Sequence, residues 1–398
     1  HNRDVGYLLA NIHKSALILS SFAPSCESFL QVMRKELQLI HPNSKQHFHK
    51  FTLVNLADEG KWGHYAFLSQ ATQQNIQRNM AQGTQTLLLL NKKSEYGSVV
   101  CAHCKAHALC ATCKLPLRGS LAQERERKNA FCLRCRQEVP FPSFCMNCQK
   151  TSFRLVGISM TRLSQELKKR FPHATVLPMH AESRSLTRAK KMQKHTKKDT
   201  SIPTELEKAH ILIATDIAFS QLHWKKISTI ALVLADLELS LPYFRAGEEL
   251  LQTLLQIRNK AEHESECLSE VIIQTFHPEH EIFSYAASNE LKHFYRKELI
   301  TRKMLGYPPF QQFVLCTYKN KSKTIGSKAV QETLKRFRIF MQKYDGVAVV
   351  GDADLAPKKN GTIFEWRVLI KKQKHTVLPL QTFFTDSWVI DVDPIQLL

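Results

Sequence analysis

The sequence predicts an α/β chain: a parallel, doubly wound sheet, interrupted by a cysteine-rich insertion and followed by a smaller α+β domain. Three observations carry this. Short apolar runs such as "TLLLL", "HILIATD", "TIALVLAD" and "EVIIQTF" alternate with helical patterns between residues 69 and 276, the order of a parallel sheet with crossover helices. Eight cysteines fall in four C-x-x-C pairs between residues 101 and 148. Beyond residue 307 the patterns run β-α-β-β-α-β, the split βαβ or ferredoxin-like order.

Taken along the chain, "HNRDVGYLLANIHKSALILSS" reads as a helix running into a strand. "SQATQQNIQRNMAQGTQTLLLLNKK" reads as a helix capped by Ser69 and stopped near Gly83, then a buried strand of four leucines. The cysteine segment is expected to be an insertion after this first strand of the sheet. Next come a helix in "TRLSQELKKRF" ended by Pro172, the strands named above, and a helix in "FRAGEELLQTLLQIRNKAE". "YPPF" at 307–310 should stop the helix "LKHFYRKELITRKMLG" in extended geometry and mark a domain boundary. Further on, strands are expected at 311–319, 347–351, 362–371 and 387–392, with helices at 325–342 and near 377–385. Phe364, Trp366, Val368 and Ile370 share one strand face, and Leu369 breaks the alternation, so both faces should be partly covered.

The cysteine pairs are Cys101/Cys104, Cys110/Cys113, Cys132/Cys135 and Cys145/Cys148. A C-x-x-C turn lets two thiolates reach one ion, and two such turns complete a tetrahedral zinc site. Eight ligands therefore imply two zinc ions. Three pairings of the turns are possible; joining Cys110/Cys113 to Cys132/Cys135 leaves 18 intervening residues, a zinc-ribbon gap, and favours a nested arrangement. Four thiolates per ion leave no open coordination position, so both ions should be structural. Disulfides are disfavoured because nothing marks the chain as secreted. Cys26, Cys267 and Cys316 stand alone and are expected to be small core residues.

Fifty-six Lys and Arg against 35 Asp and Glu leave a net charge of +21, a field that favours polyanions and nucleic acid above all. The run 184–198 holds seven basic residues and no acidic one. No apolar run approaches the roughly 20 residues that span a bilayer, and the first residues lack signal-peptide grammar. A soluble, cytoplasmic protein without membrane partners is expected, and its start at His1 suggests a fragment.

These residues resemble the bacterial primosomal replication-restart helicases, the primosomal protein N′ (PriA) family. The likeness rests on "RDVGYLLA", "APSCES", the eight cysteines after a "LLLLNKK" strand, "FRAGE", "VIIQTFHPEH", "ELITRKMLGYPPF" and "WVIDVDP". The resemblance implies residues 1–40 as the end of a first helicase lobe, 41–100 as linker and start of a RecA-like second lobe, and 101–150 as a two-zinc insertion. Residues 151–306 would complete the second lobe and 307–398 form the C-terminal domain. It supports the nested pairing, with Cys101, Cys104, Cys145 and Cys148 on one ion and Cys110, Cys113, Cys132 and Cys135 on the other. It also implies a 3′-to-5′ DNA helicase driven by ATP and Mg²⁺, acting at forks and single-strand/duplex junctions. The single-stranded DNA-binding protein and other primosome proteins would be its partners.

Departures from the family pattern weigh against the motor. No G-x-x-x-x-G-K-[ST] loop occurs, so ATP and Mg²⁺ are expected only with a first lobe upstream of His1. Where the family reads G-T-Q-x-x-x-K-G-x-x-F, this chain has "ATDIAFSQLHW", with Ser220 and Gln221 at the Lys and Gly. Where it reads Q-x-x-G-R-A-G-R, this chain places Lys260 and His263 at the arginines. Ser159, Met160 and Thr161 stand at the family's G-T-E turn, and Ala214, Asn259 and Glu262 at further glycines. Lys is a point charge and His is mostly neutral at pH 7, so neither reproduces an arginine fork. Loss of such a finger costs on the order of 10³–10⁵ in rate. The expectation is a fork-binding scaffold with impaired chemistry, an active helicase being the alternative. Lys190, Lys191 and Lys194, with Lys371 and Lys372 beside Lys374 and His375, are the candidate DNA contacts.

Overall fold

The structure, a computed structural model, describes residues 2–40, 51–59, 67–90, 96–104, 106–111, 116–120, 129–132, 138–179, 204–215, 222–235, 239, 244–288, 290–344, 346–350, 358–360 and 362–394. It is α/β, with one parallel sheet and two antiparallel sheets, and is compatible with a RecA-like lobe.

The parallel sheet contains β1 (Phe51–Asn55), β2 (Gln85–Leu90), β8 (Val176–Pro178), β9 (Ile211–Ala214), β10 (Ile227–Val233) and β11 (Glu270–Thr275), in the order β1-β11-β10-β2-β9-β8. Every residue of β2 is buried, because successive side chains point to opposite faces and both faces are covered. Leu87 and Leu89 join a core with Leu250, Leu254 and Tyr295, whereas Leu88 and Leu90 join another with Ile76 and Leu163. Helices α3 (Gln70–Gln82) and α4 (Met160–Arg170) cover the second face. Helices α2 (Cys26–Met33), α5 (Thr204–Lys208), α6 (Ala246–Glu264), α7 (Glu281–Ser288) and α8 (Leu291–Leu305) cover the first, and α1 (Asn2–His13) precedes them.

Helix α3 begins and ends as its residues dictate. The Ser69 hydroxyl accepts from the Thr72 N–H, and Gly83 closes the helix at φ 69°. Ser159 caps α4 in the same manner. Strand β1 and helix α5 went unread in the sequence, and β1 makes the cysteine segment an insertion after the second strand of the sheet rather than the first. The strand expected in "SALILSS" does not form. Ile18 is 88% exposed and no strand lies beside it among the described residues, so its backbone has no ladder to join.

The C-terminal sheet comprises β12 (Gln311–Asn320), β13 (Ala348–Val350), β14 (Lys358–Asn360), β15 (Ile363–Gln373) and β16 (Trp388–Val392). Its order is β13-β15-β12-β16, antiparallel throughout, with β14 paired to β15. Trp366, Val368 and Ile370 point into its core beneath α9 (Lys323–Met341), and α10 (Leu380–Phe383) packs beside them. The segment at Tyr307–Phe310 is a turn with a cis Pro308–Pro309 bond, not the extended linker expected. No helix among the described residues is long and apolar enough to cross a membrane.

Candidate metal centre

The cysteine segment builds its own antiparallel sheet, β6-β5-β4-β3-β7, from β3 (Tyr96–Cys101), β4 (Arg118–Ser120), β5 (Asn129–Phe131), β6 (Glu138–Pro140) and β7 (Phe153–Val156). Strands β3 and β7 pair, with Cys101 opposite Phe153, so the chain leaves and returns side by side. That pairing lets a large insertion enter the lobe without opening its sheet.

The first turn, Cys101 to Cys104, leaves the end of β3; the second, Cys145 to Cys148, precedes β7. Each is tightened by a backbone bond: the Cys101 N–H donates to the Ala106 carbonyl at 2.9 Å, and the Cys145 N–H to the Lys150 carbonyl at 2.8 Å. Gln149 follows the second turn at φ 59°. The four sulfurs converge, with all Sγ atoms within 4.8 Å of one another, Cys101 to Cys148 at 3.5 Å and Cys104 to Cys145 at 3.6 Å. Four thiolates around zinc at about 2.3 Å lie roughly 3.8 Å apart by tetrahedral geometry, and a disulfide needs about 2.05 Å. The donor set fits a tetrahedral soft-metal site.

Its electrostatics agree. Hydrogen bonds, first from the Asn147 side chain and then at the Ala106 backbone, hold the Cys104 thiol down at about 6. Cys148 goes the other way: its bond with the Lys150 backbone favours the thiolate, but burial and the neighbouring sulfurs push it up to about 11. Four negative sulfurs at this spacing repel one another, and a divalent cation removes the conflict.

Cys110 and Cys132 are buried in the same small core, at 2% and 0% exposure. Their partners Cys113 and Cys135 lie outside the described residues, as do Lys190, Lys191, Lys194 and Ser220. Lys260 extends from α6 and ion-pairs with Glu264 one turn on, while His263 is exposed. Arg258, on the same helix, is buried and donates to the Ala286 carbonyl at 3.1 Å. Lys371 places its ammonium on the Leu305 carbonyl and over the Tyr307 ring. Lys372 is buried and donates to the Thr376 carbonyl at 2.9 Å. Lys374 and His375 are exposed. Cys26 and Cys316 are fully buried as expected, but Cys267 is only half-buried, its thiol donating to the Lys225 carbonyl at 3.3 Å, because it sits in the connection between α6 and β11.

Reading residues one at a time missed a second cluster. Three of the segments that carry the family resemblance meet in space: "APSCES" at α2, "FRAGE" at the start of α6, and "ELITRKMLGYPPF" at the end of α8. Arg302, 1% exposed, bonds Glu248 and Glu298 at 2.7 Å each and lies 3.5 Å from Glu27. Arg245 bonds Glu27 at 2.6 Å, and the Cys26 N–H donates to Glu248 at 2.8 Å. Both guanidinium groups lie against the Phe244 ring, at 4.8 Å and 4.9 Å, and that ring packs on Tyr307 and Phe313 of the C-terminal sheet. Burial pushes Glu27 up, but the hydrogen bond and charge of Arg245 outweigh it and hold the carboxyl at about 2. The available signal was charge at helix positions whose neighbours are apolar: Glu248 beside Leu250 and Leu251, and Arg302 three residues after Leu299.

No family model matches the chain. Among curated proteins it is similar to the Replication restart protein PriA of Borreliella burgdorferi, 22% identical over 381 residues, covering 95% of this chain and 54% of that protein. Proteins of the same name resemble it in Bacillus subtilis, 26% identical over 81% of this chain and 39% of the relative, and in Chlamydia trachomatis, 25% identical over 99% and 52%. The chain thus spans about half the length of the curated relatives it matches. The likeness covers 95% and 99% of this chain in two of these relatives and supports membership of the replication restart protein PriA family.

Proposed function

We propose that this chain is a DNA-binding and assembly scaffold for replication restart, docking at forked DNA and meeting primosome proteins, with an impaired ATP-driven motor. The observation that carries the impaired-motor reading is Lys260. It stands at one of the two family arginines and spends its charge on Glu264, so it is not presented as a fork of donors to a phosphate. The antiparallel order β13-β15-β12-β16 supports a split βαβ C-terminal domain, and the parallel sheet packed on both faces suits a RecA-like lobe.

In this reading Cys101, Cys104, Cys145 and Cys148 hold one zinc ion, and Cys110, Cys113, Cys132 and Cys135 a second. Bound zinc supplies rigidity, not catalysis, since four thiolates fill its coordination. The protein's own part is to bring β3 and β7 together and to present the two turns at one point. DNA is met through phosphates, with Lys190, Lys191, Lys194, Lys374 and His375 as candidate contacts. Lys371 and Lys372 are assigned instead to holding backbone carbonyls. The single-stranded DNA-binding protein is carried as a partner on the resemblance alone.

The alternative, an active 3′-to-5′ helicase, is favoured by the preserved lobe scaffold. An ATPase assay of the protein with forked DNA decides between them. The scaffold reading expects fork binding in preference to plain duplex with turnover reduced by on the order of 10³ or more. Fork-stimulated hydrolysis at ordinary helicase rates contradicts it.

A further inference from the structure

The buried charge cluster around Arg302 touches three parts of the molecule: the segment 2–33, the lobe of the parallel sheet, and the C-terminal sheet. Toward the segment, Arg3 donates to the Ser25 hydroxyl at 2.7 Å and lies 3.9 Å from Glu27. The Tyr295 hydroxyl of α8 donates to the Pro24 carbonyl at 2.6 Å, and Phe29 of α2 stacks on the Tyr295 ring at 4.5 Å. Glu27 thus lies inside the contact between α2 and the lobe.

The C-terminal sheet is seated on the lobe with almost no spacer, since α8 ends at Leu305 and β12 begins at Gln311. Gly306, at φ 59°, closes α8 so near this sheet that an added Cβ would lie 2.8 Å from the Lys371 chain and 2.9 Å from the Gln311 side chain. Val314 and Cys316 point into the core beneath α9, so Phe313 and Leu315 point the other way. They are nevertheless only 3% and 7% exposed. Phe244 and Tyr307 pack on the Phe313 ring, and Phe310 packs on the core of the lobe.

Phe244 joins the two contacts. Its ring holds the guanidinium groups of Arg245 and Arg302 at 4.8 Å and 4.9 Å and meets Phe313 edge to face at 5.7 Å. Where that ring rests depends on where the guanidinium groups point, and carboxylates set their direction. Arg302 has Glu248 and Glu298 at 2.7 Å each. Arg245 has Glu27 at 2.6 Å, and without it keeps only the 3.4 Å contact with Glu248.

We propose that Phe244 and the Arg245–Glu27 pair form a coupler that ties the position of α2 to the seat of the C-terminal sheet. When Glu27 withdraws, Arg245 turns toward Glu248 and its guanidinium leaves the Phe244 ring. The ring then loses one of the two groups that hold it against Phe313. Coupling between two sites is reciprocal, so loosening the seat at Phe244 loosens α2 by the same factor, and such couplings typically amount to about 5- to 150-fold. Contacts that act only as independent cement behave differently, each loss being felt at its own element alone.

Amide hydrogen exchange of the whole protein, read by mass spectrometry, tests this. E27Q, F244L and E27Q/F244L are compared with wild type at residues 26–33, at residues 311–315 and in β2, the last of which reports opening of the whole fold. E27Q is expected to raise exchange at 311–315, and F244L at 26–33, by about fivefold or more beyond any change in β2. The double variant should rise by less than the product of the two single factors. An effect of E27Q confined to 26–33, an equal rise in β2, or factors that multiply in the double variant each overturn the proposal. Should E27Q fail to fold by circular dichroism, E27D, which draws the carboxylate back by one methylene and keeps its charge, carries the same comparison. A rise at 26–33 without one at 311–315 in that variant overturns it too.

Discussion

Replacing Arg302 by methionine is expected to destabilise the protein by about 3–5 kcal/mol, the range for breaking a buried ion pair while leaving its partner charged. The structure places this substitution at the upper end. Arg302 is 1% exposed and Glu248 is 3% exposed, so water cannot replace the lost guanidinium. Three carboxylates depend on it, Glu248 and Glu298 at 2.7 Å and Glu27 at 3.5 Å. Glu248 keeps only the longer Arg245 contact at 3.4 Å and its bond from the Cys26 N–H. Methionine preserves much of the packing on Phe244 but none of the charge. Urea unfolding followed by the fluorescence of buried Trp224 should show a lower midpoint with the slope unchanged. The double variant R302M/E248M should recover part of the loss, because removing both members of a buried pair is far less costly than removing one. A loss below about 1 kcal/mol in R302M, or a double variant no better than the single, refutes the claim that the Arg302–Glu248 pair is desolvated.

Two further outcomes follow from the same packing. Glu27 has its carboxyl lowered from 4.5 to about 2, so its contribution is complete above about 4.5 and is lost as pH falls toward 2. That corresponds to roughly 3 kcal/mol. Thermal melts between pH 5 and pH 2.5 should therefore flatten in E27Q relative to wild type, and parallel curves would contradict the assignment. G326A gains about 1 kcal/mol of helix propensity but drives a Cβ to within 2.1–2.8 Å of three Trp366 ring atoms. A net loss of about 1–3 kcal/mol is expected from overpacking. A neutral or stabilised G326A, read against S327A as control, would show that the contact relaxes freely.

Much of the architecture was legible because burial on two faces leaves continuous apolar runs and caps punctuate helices. "TLLLL" and "ILIA" became buried strands, Ser69 and Gly83 bounded α3, and the C-terminal order of elements matched its strand ladder. Strand β1 escaped notice because "FTLVN" is half-buried at a sheet edge and lacks a strong period. "SALILSS" misled in the opposite sense: strand-like residues do not make a strand without a neighbour. At the metal centre the C-x-x-C spacing announced both turns, and the nested pairing of the outer two is what the sulfur distances show. Lys372 looked like a surface cation, but in β15 its position points inward, where its ammonium satisfies a carbonyl. The charge hub escaped residue-by-residue reading because it joins three separate segments: Glu248 and Arg302 lie 54 positions apart, and Glu27 lies more than 200 positions from both Arg245 and Arg302.

The most direct test of the account is metal content per chain, measured by mass spectrometry on protein purified under reducing conditions. Two zinc ions are predicted for the wild type and one for C145S/C148S, the survivor held by Cys110, Cys113, Cys132 and Cys135. A wild-type protein without bound metal, or a C145S/C148S variant that still carries two ions, would contradict it.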